Sequence, residues 1–233
     1  SQEKRFEKEA QSMIQKPLEE EQIQLFFSDI QPLPASKVLI QLEKENLSIG
    51  ERILAQELRL TVRGQDKIGI IGPNGVGKST LLTKLQQLLS AKREISLGFM
   101  PQDYHKKLEL DLSPVTYLSQ TGQKEELQKI QSHLASLNFS YPEMQHQIRS
   151  LSGGQQGKLL LLDLVLSKPN FLLLDEPTRN FSPTSQPEIR KLFATYPGGL
   201  VTVSHDRRFL KEVCTSLYRL TEHGFEVVDL QDL

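Results

Sequence analysis

Apolar and polar residues alternate along KVLIQLE from Lys37 and again along LRLTV from Leu58, the period-two pattern of strands with one covered face. The apolar run from Ile68 to Ile71 reads as a third strand. STLLTKLQQLL behind it takes up helical spacing, so a helix is predicted over 78–90. ISLGFMPQ (95–102) reads as a strand. Residues 103–150 are polar and helical, with Pro114 and Pro142 near helix starts and Gly122 in a turn; they predict a small inserted helical subdomain. A buried helix over about 155–167 stops before Pro169. A strand at 170–174, a helix at about 186–195, a strand at 199–204, a helix at about 206–214 and a closing hairpin, LYRL…GFEVVDL, complete the pattern. Strand and helix in alternation predict an α/β core with a parallel sheet and a partly antiparallel β layer at its N-terminal edge.

Ahead of this core the pattern differs. Residues 1–27 are rich in Glu, Gln and Lys, and Phe6, Ala10, Met13 and Ile14 make one narrow apolar face at helical spacing. Pro17 interrupts, Leu18 to Phe27 is expected to resume the helix, and QPLPAS (31–36) breaks to a linker. The expected division is therefore a helical extension over 1–36 and a main domain over 37–233, with its helical subdomain at about 103–168.

Composition narrows the classes. The chain has 233 residues, enough for one sizeable domain and a small appendage. Lys and Arg number 28 against 29 Asp and Glu, a net charge of −1, so no overall basic footprint announces nucleic acid and no direct DNA partner is expected. Cys214 is the single cysteine, which excludes an internal disulfide, and its setting, EVCTSLY, reads as a buried thiol. No apolar run approaches the roughly 18 residues of a membrane span, and the N-terminus is charged; a soluble, cytoplasmic chain without membrane partners is expected. The opening SQEKRF, without Met, is expected of a fragment or of a trimmed chain.

Two stretches carry chemistry. In IGIIGPNGVGKST, Gly72, Gly77, Lys78 and Ser79 fit G-x-x-x-x-G-K-[ST] between a predicted strand and a predicted helix, the context that motif requires. Such a glycine loop turns backbone N–H groups inward around phosphates, and the helix N-terminus adds positive partial charge. The loop Gly72-Pro73-Asn74-Gly75-Val76-Gly77-Lys78-Ser79-Thr80 is thus the expected triphosphate site. Lys78 would reach the β and γ phosphates, and the Ser79 hydroxyl would ligate Mg²⁺. In FLLLDEPTRNFSPTS an apolar strand ends on two adjacent carboxylates, Asp175 and Glu176. Neighbouring charges are tolerable beside a cation: Asp175 would hold Mg²⁺ at the tip of the neighbouring parallel strand, and Glu176 would polarise the attacking water as general base. A third stretch, LSGGQQGK (151–158), opens the buried helix, with Ser152 placed as its cap and Gly153 and Gly154 leaving their N–H groups unobstructed for an anion.

GPNGVGKST, then Gln102 after an extended segment, then LSGGQ, FLLLDEP and a strand ending in His205 (VTVSHD) resemble, in order and spacing over residues 37–221, an ATP-binding cassette (ABC) nucleotide-binding domain. The resemblance implies a P-loop NTPase fold and an ATPase using ATP and Mg²⁺. It implies that Gln102 contacts Mg²⁺, that His205 contacts the γ-phosphate, and that Ser152, Gly153, Gly154 and Gln155 form the signature motif pressing on ATP bound to an opposing cassette. A second cassette is thereby an implied partner.

Within that superfamily, the short helical insert, the charged N-terminal segment and SHDRRFL resemble ABC-F proteins, which carry two cassettes in one chain and act on the ribosome. Residues 1–30 then resemble the end of the inter-cassette linker, making this the second, C-terminal cassette. Ribosome protection against antibiotics and a general role in translation share these motifs. The alternative is the ATPase subunit of a membrane transporter, a class that usually has a longer insert; a coiled-coil DNA-repair ATPase is disfavoured because long heptads are missing. Two positions depart from the pattern. Ser182 stands where an Asp of the D-loop is usual, which puts coupling between the two ATP sites in doubt, and Ile49 stands where an aromatic usually stacks on adenine, which predicts weak base selectivity unless a ring comes from elsewhere.

Overall fold

The structure, a computed structural model, describes residues 23–233. Two long strands, β1 (Val38–Ile49) and β2 (Arg52–Arg63), pair antiparallel as a separate two-stranded sheet. β3 (Lys67–Ile71) leads through the glycine loop into α1 (Lys78–Ser90), and β4 (Leu97–Met100) follows. The helical subdomain contains α2 (Pro114–Leu118), α3 (Lys124–Ser136) and α4 (Tyr141–Gln145) and leads into α5 (Gly153–Leu166). Then come β5 (Phe171–Asp175), α6 (Gln186–Ala194), β6 (Gly199–Val203), α7 (Arg207–Val213), β7 (Ser216–Thr221) and β8 (Gly224–Val228).

The main sheet runs β4-β5-β6-β3-β7-β8, parallel throughout except for β8 at its edge. Side chains alternate across a strand, and β5 divides accordingly: Phe171 and Leu173 pack with α1 and the β1–β2 sheet, while Leu172 and Leu174 pack with α5, α6 and α7. Both faces of β5 and β6 are therefore covered, which is why FLLLD and GLVTV read as continuous rather than alternating runs. The P-loop follows β3 and the carboxylates follow β5, but β6 lies between the two strands, so Asp175 is not on the strand next to β3 as expected. Chain order carries no information about that crossover.

Residues 1–22, and with them most of the expected N-terminal helix, lie outside the described residues. The described part of the expected second stretch is not helical. Over 23–27 the chain is irregular, with Ile23 and Leu25 buried, Gln24 and Phe26 exposed, and the Phe27 ring 4.7 Å from Tyr196. That alternation suits an extended strap laid on the core. Cys214 is buried, and burial pushes its thiol up to about 12, against the opposing charge of Lys67. No helix of the described residues is long and apolar enough to cross a membrane.

Candidate nucleotide-binding site

β3 delivers the chain into the glycine loop at the C-terminal edge of the sheet. Gly77 caps α1 at φ 107°, and a Cβ there would lie 2.9 Å from Leu54 Cδ1 and 3.0 Å from Leu47 Cδ2, so both backbone and space require glycine. Lys78 folds back over the loop, its Nζ donating to the Gly72 carbonyl at 2.7 Å and the Pro73 carbonyl at 2.8 Å. Burial lowers the Lys78 pKa, while the charges of Glu176 and Asp175 favour its ammonium form. An ammonium that donates to two carbonyls at a helix start is placed to donate to phosphate oxygens.

At the end of β5 the two carboxylates part. Asp175, 7% exposed, accepts a hydrogen bond from Ser79 Oγ at 2.9 Å. Glu176 turns into the left-handed region at φ 51°, a conformation uncommon outside glycine and enriched at functional sites. Its N–H carries the β5–β6 ladder one step on, donating to the Val203 carbonyl at 2.8 Å, and its carboxylate swings to His205. There Glu176 Oε2 accepts the His205 N–H at 3.2 Å and Oε1 meets His205 Nδ1. Asp175 thus faces the phosphate loop and Glu176 faces the loop after β6, and one backbone torsion answers the crowding of adjacent charges. Burial raises the Asp175 pKa, the Ser79 hydrogen bond opposes that shift, and the neighbouring charge of Glu176 adds to it. The buried Asp175 carboxylate, the Ser79 hydroxyl oxygen bonded to it and the amide oxygen of Gln102 in the same cleft form an oxygen donor set that fits Mg²⁺.

Asn74, Gly75, Gly77, Lys78, Ser79, Thr80, Gln102, Asp175, Glu176 and His205 all line one cleft of about 730 Å³. Gly72 and Pro73 contribute through their carbonyls to Lys78, and Val76 packs against the core beside β1 and β2. The signature residues Ser152, Gly153, Gly154 and Gln155 are not among the cleft's lining residues. They form their own surface: the Ser152 hydroxyl accepts from Gln155 N–H at 3.2 Å, and Gln155 Oε1 accepts from Ser152 N–H at 3.0 Å, a reciprocal capping box. Because Ser152 Oγ accepts within the cap, its own proton is left to donate outward.

Several residues escaped the sequence reading. Glu143 of α4 accepts from Gln155 Nε2 at 2.8 Å and from Ser140 N–H at 2.8 Å, tying the signature to the helical subdomain. Thr178 Oγ1 donates to Asp206 Oδ2 at 3.0 Å, while Asp206 Oδ1 accepts from Phe209 N–H at 3.0 Å and caps α7. That pair ties the turn after Glu176 to the residue after His205. Ser182, in the departing D-loop, spends its hydroxyl on Thr184 at 2.9 Å and Ser185 at 3.1 Å. Phe181 beside it packs on α5, where a Cβ at Gly157 would come within 2.7 Å of its ring. The hairpin residues Arg52 and Leu54 also line the cleft. The Glu143–Gln155, Thr178–Asp206 and Phe181–Gly157 contacts join separate elements, so local spacing gave no signal for them, whereas the Ser140–Glu143 and Asp206–Phe209 caps and the Ser182 bonds are local.

Known proteins share this arrangement. The family described as ABC transporter matches residues 55–179. The probable ATP-binding protein YheS of Escherichia coli K12 is 31% identical over 210 residues, 87% of this chain and 33% of its own length. ABC transporter F family member 2 of Arabidopsis thaliana is 28% identical over 235 residues, covering 96% of this chain and 34% of its own. The chain spans about a third of the length of these curated relatives. Among solved structures, the dimeric post-hydrolysis ATP-binding cassette MJ0796 with ADP and Pi superposes with a TM-score of 0.66 at 18% identity, over 83% of this chain and 98% of that one. A second dimeric structure of MJ0796, described as a bacterial ABC transporter cassette, gives 0.64 at 19% identity. With the fold, the ordered motifs and the matching residues in agreement, the chain belongs to the ABC transporter family, as an ATPase domain with the fold of its cassettes.

Proposed function

We propose that this chain is a cassette of an ABC-F protein that binds and hydrolyses ATP together with a second cassette and acts on the ribosome. One observation carries the hydrolytic reading: Lys78, Ser79, Asp175, Glu176 and His205 converge on a single cleft whose lining omits the chain's own signature residues. The site is then completed by the signature of an opposing cassette. In that reading the Lys78 ammonium and the α1 N-terminus bind the β and γ phosphates. Ser79 Oγ and Asp175, with Gln102 at the rim, would hold Mg²⁺, which supplies charge neutralisation on the phosphate oxygens. Glu176 takes a proton from water as the water oxygen attacks the γ-phosphorus. The γ-phosphorus–oxygen bond breaks with its electron pair leaving on ADP. His205, freed from Glu176, donates to a γ-phosphate oxygen. The Ser152 hydroxyl does the equivalent across the interface for ATP on the opposing cassette.

The ABC-F assignment is supported by the F-family member among the relatives and by the short helical subdomain. On this reading residues 1–36 end an inter-cassette linker, this is the second cassette, and the protein works in the cytoplasm, in translation or in ribosome protection against antibiotics. Cosedimentation of the full-length protein with ribosomes tests it. Retention with ATP and loss without it are expected, whereas copurification with membrane-spanning subunits and absence from ribosomes would establish a transporter ATPase instead.

A further inference from the structure

We infer that Thr178 and Asp206 are positioning residues, whose hydroxyl–carboxylate hydrogen bond clasps the turn carrying Glu176 to the loop carrying His205 and holds the two in register. The inference rests on the hydrolytic reading above and names what keeps its two movable groups in place. Asp206 is the third carboxylate lining the cleft, after Asp175 and Glu176, and the proposed chemistry gives it no task. Both of its oxygens accept within the protein, Oδ1 from the Phe209 N–H at 3.0 Å and Oδ2 from the Thr178 hydroxyl at 3.0 Å. Thr178 is buried, at 3% exposed, and its hydroxyl has one proton to give. A carboxylate and a hydroxyl engaged in this way act through what they hold.

What they hold is two short turns. Glu176–Arg179 is closed by the Arg179 N–H donating to the Glu176 carbonyl at 3.1 Å, with Pro177 fixing its second position. In the other, the buried Ser204 accepts the Asp206 N–H through its hydroxyl at 3.0 Å, and His205 stands between the two. The His205 side chain is 61% exposed, so little packing orients it, and the left-handed torsion of Glu176 persists only where its surroundings impose it. Among the described residues, three links join the turns: the Glu176 N–H to the Val203 carbonyl, the Glu176 carboxylate to His205, and Thr178 to Asp206. The proposed reaction releases the second, when Glu176 takes up water and His205 turns to the γ-phosphate. Neither Thr178 nor Asp206 enters that chemistry. Their bond is therefore the side-chain link that outlasts the release and keeps the base and the histidine on either side of the reacting phosphate.

The test compares Thr178→Val, which keeps the shape and removes the donor, with Thr178→Ser, which gives the donor back. Amide hydrogen exchange reads the register directly. The His205 N–H, bonded to Glu176 Oε2, should exchange about tenfold faster in Thr178→Val, the worth of one hydrogen bond to a charged group, and near the parent rate in Thr178→Ser. The Phe139 N–H, bonded to the Leu134 carbonyl in the helical subdomain, should not change. Phosphate release, at a protein concentration where copies pair so that every site carries the substitution, should fall about tenfold in Thr178→Val with KM for ATP unchanged, and recover in Thr178→Ser. In an Asp206→Ala background Thr178→Val should cost nothing further. Parental exchange at His205 or parental turnover in Thr178→Val, a defect that Thr178→Ser shares, a cost that persists in Asp206→Ala, or acceleration at Phe139 as well overturns the clasp. With ATP still bound and hydrolysed by the parent, those outcomes leave the nucleotide site standing. A parent chain that binds no ATP, or binds it and releases no phosphate at any concentration, overturns the hydrolytic reading and the clasp with it.

Discussion

Glu176 sits at the one position of the site where backbone strain and chemistry coincide. Its φ of 51° separates its carboxylate from that of Asp175 and turns it to His205. Glu176→Gln retains the size and reach of the side chain and removes the proton acceptor. ATP affinity should stay near that of the parent, since Lys78 and Ser79 are untouched, while turnover of the assembled protein falls by roughly 10²–10⁴-fold. Lys78→Ala should instead lose ATP binding. Radioactive nucleotide binding and phosphate release, measured on both variants, separate the two. Near-parental hydrolysis by Glu176→Gln would leave the carboxylate pair with a metal-holding role alone. The identities of these residues were legible from spacing, because G-x-x-x-x-G-K-[ST] and a strand ending in Asp-Glu are local patterns. Their expected division of labour came from the same patterns; the left-handed torsion that turns the two carboxylates apart did not, because no side-chain pattern encodes it.

Among elements, the helical subdomain shows how a local cap becomes a long-range tie. α5 begins at Gly153, two residues before the expected start, because the Ser152–Gln155 box satisfies its first donors. Gln155 then reaches α4 through Glu143, whose pKa is lowered first by the Ser140 N–H and next by Gln155. Glu143→Ala should lower turnover of the assembled protein by about fivefold, the equivalent of a cap worth about 1 kcal/mol, with ATP affinity unchanged because Glu143 does not line the cleft. An equal loss in ATP affinity would mean general unfolding rather than a displaced signature. Glu126 staples the loop before α3, accepting from Gln120 N–H at 2.8 Å, Thr121 N–H at 2.9 Å and Gly122 N–H at 3.0 Å. These bonds, the Gln120 N–H foremost, hold its carboxyl down to about 2 from 4.5. A depressed folded pKa stabilises above the unfolded value and is lost as pH falls, so the Tm gap between parent and Glu126→Gln should narrow from pH 4.5 toward pH 2. A gap independent of pH would assign the staple to shape rather than charge. The elements themselves were mostly legible from periodicity. The exception is 23–27, where IQLFF conceals its period of two behind consecutive phenylalanines, one exposed and one packed on Tyr196.

At the scale of the whole molecule the decisive feature is a division between two surfaces. The cleft gathers the groups proposed to bind and activate, while Ser152–Gln155 form a capped helix start that is not part of it. The sequence supplied both surfaces but not their separation, which follows from the strand order: β5 and β6 bring Glu176 and His205 beside the P-loop, and α5 starts from the helical subdomain. On the proposed reading, a cassette built this way holds one half of each composite reaction centre. This chain alone should therefore bind ATP in a one-to-one ratio and hydrolyse it slowly. Any turnover should require two copies to meet head to tail, each signature over the other's phosphates. Specific activity should then rise with protein concentration, and Ser152→Arg copies, unable to donate to the opposing phosphate, should gain activity when mixed with Lys78→Ala copies. In such a mixture one of the two composite sites pairs an intact P-loop with an intact signature. The altered D-loop sharpens the outcome. With Ser182 bonded to Thr184 and Ser185 rather than offering a carboxylate to its neighbour, the surviving site should work without its defective twin. Activity that is brisk at high dilution, or no rescue in the mixture at any concentration, would show that the cleft completes itself without an opposing signature.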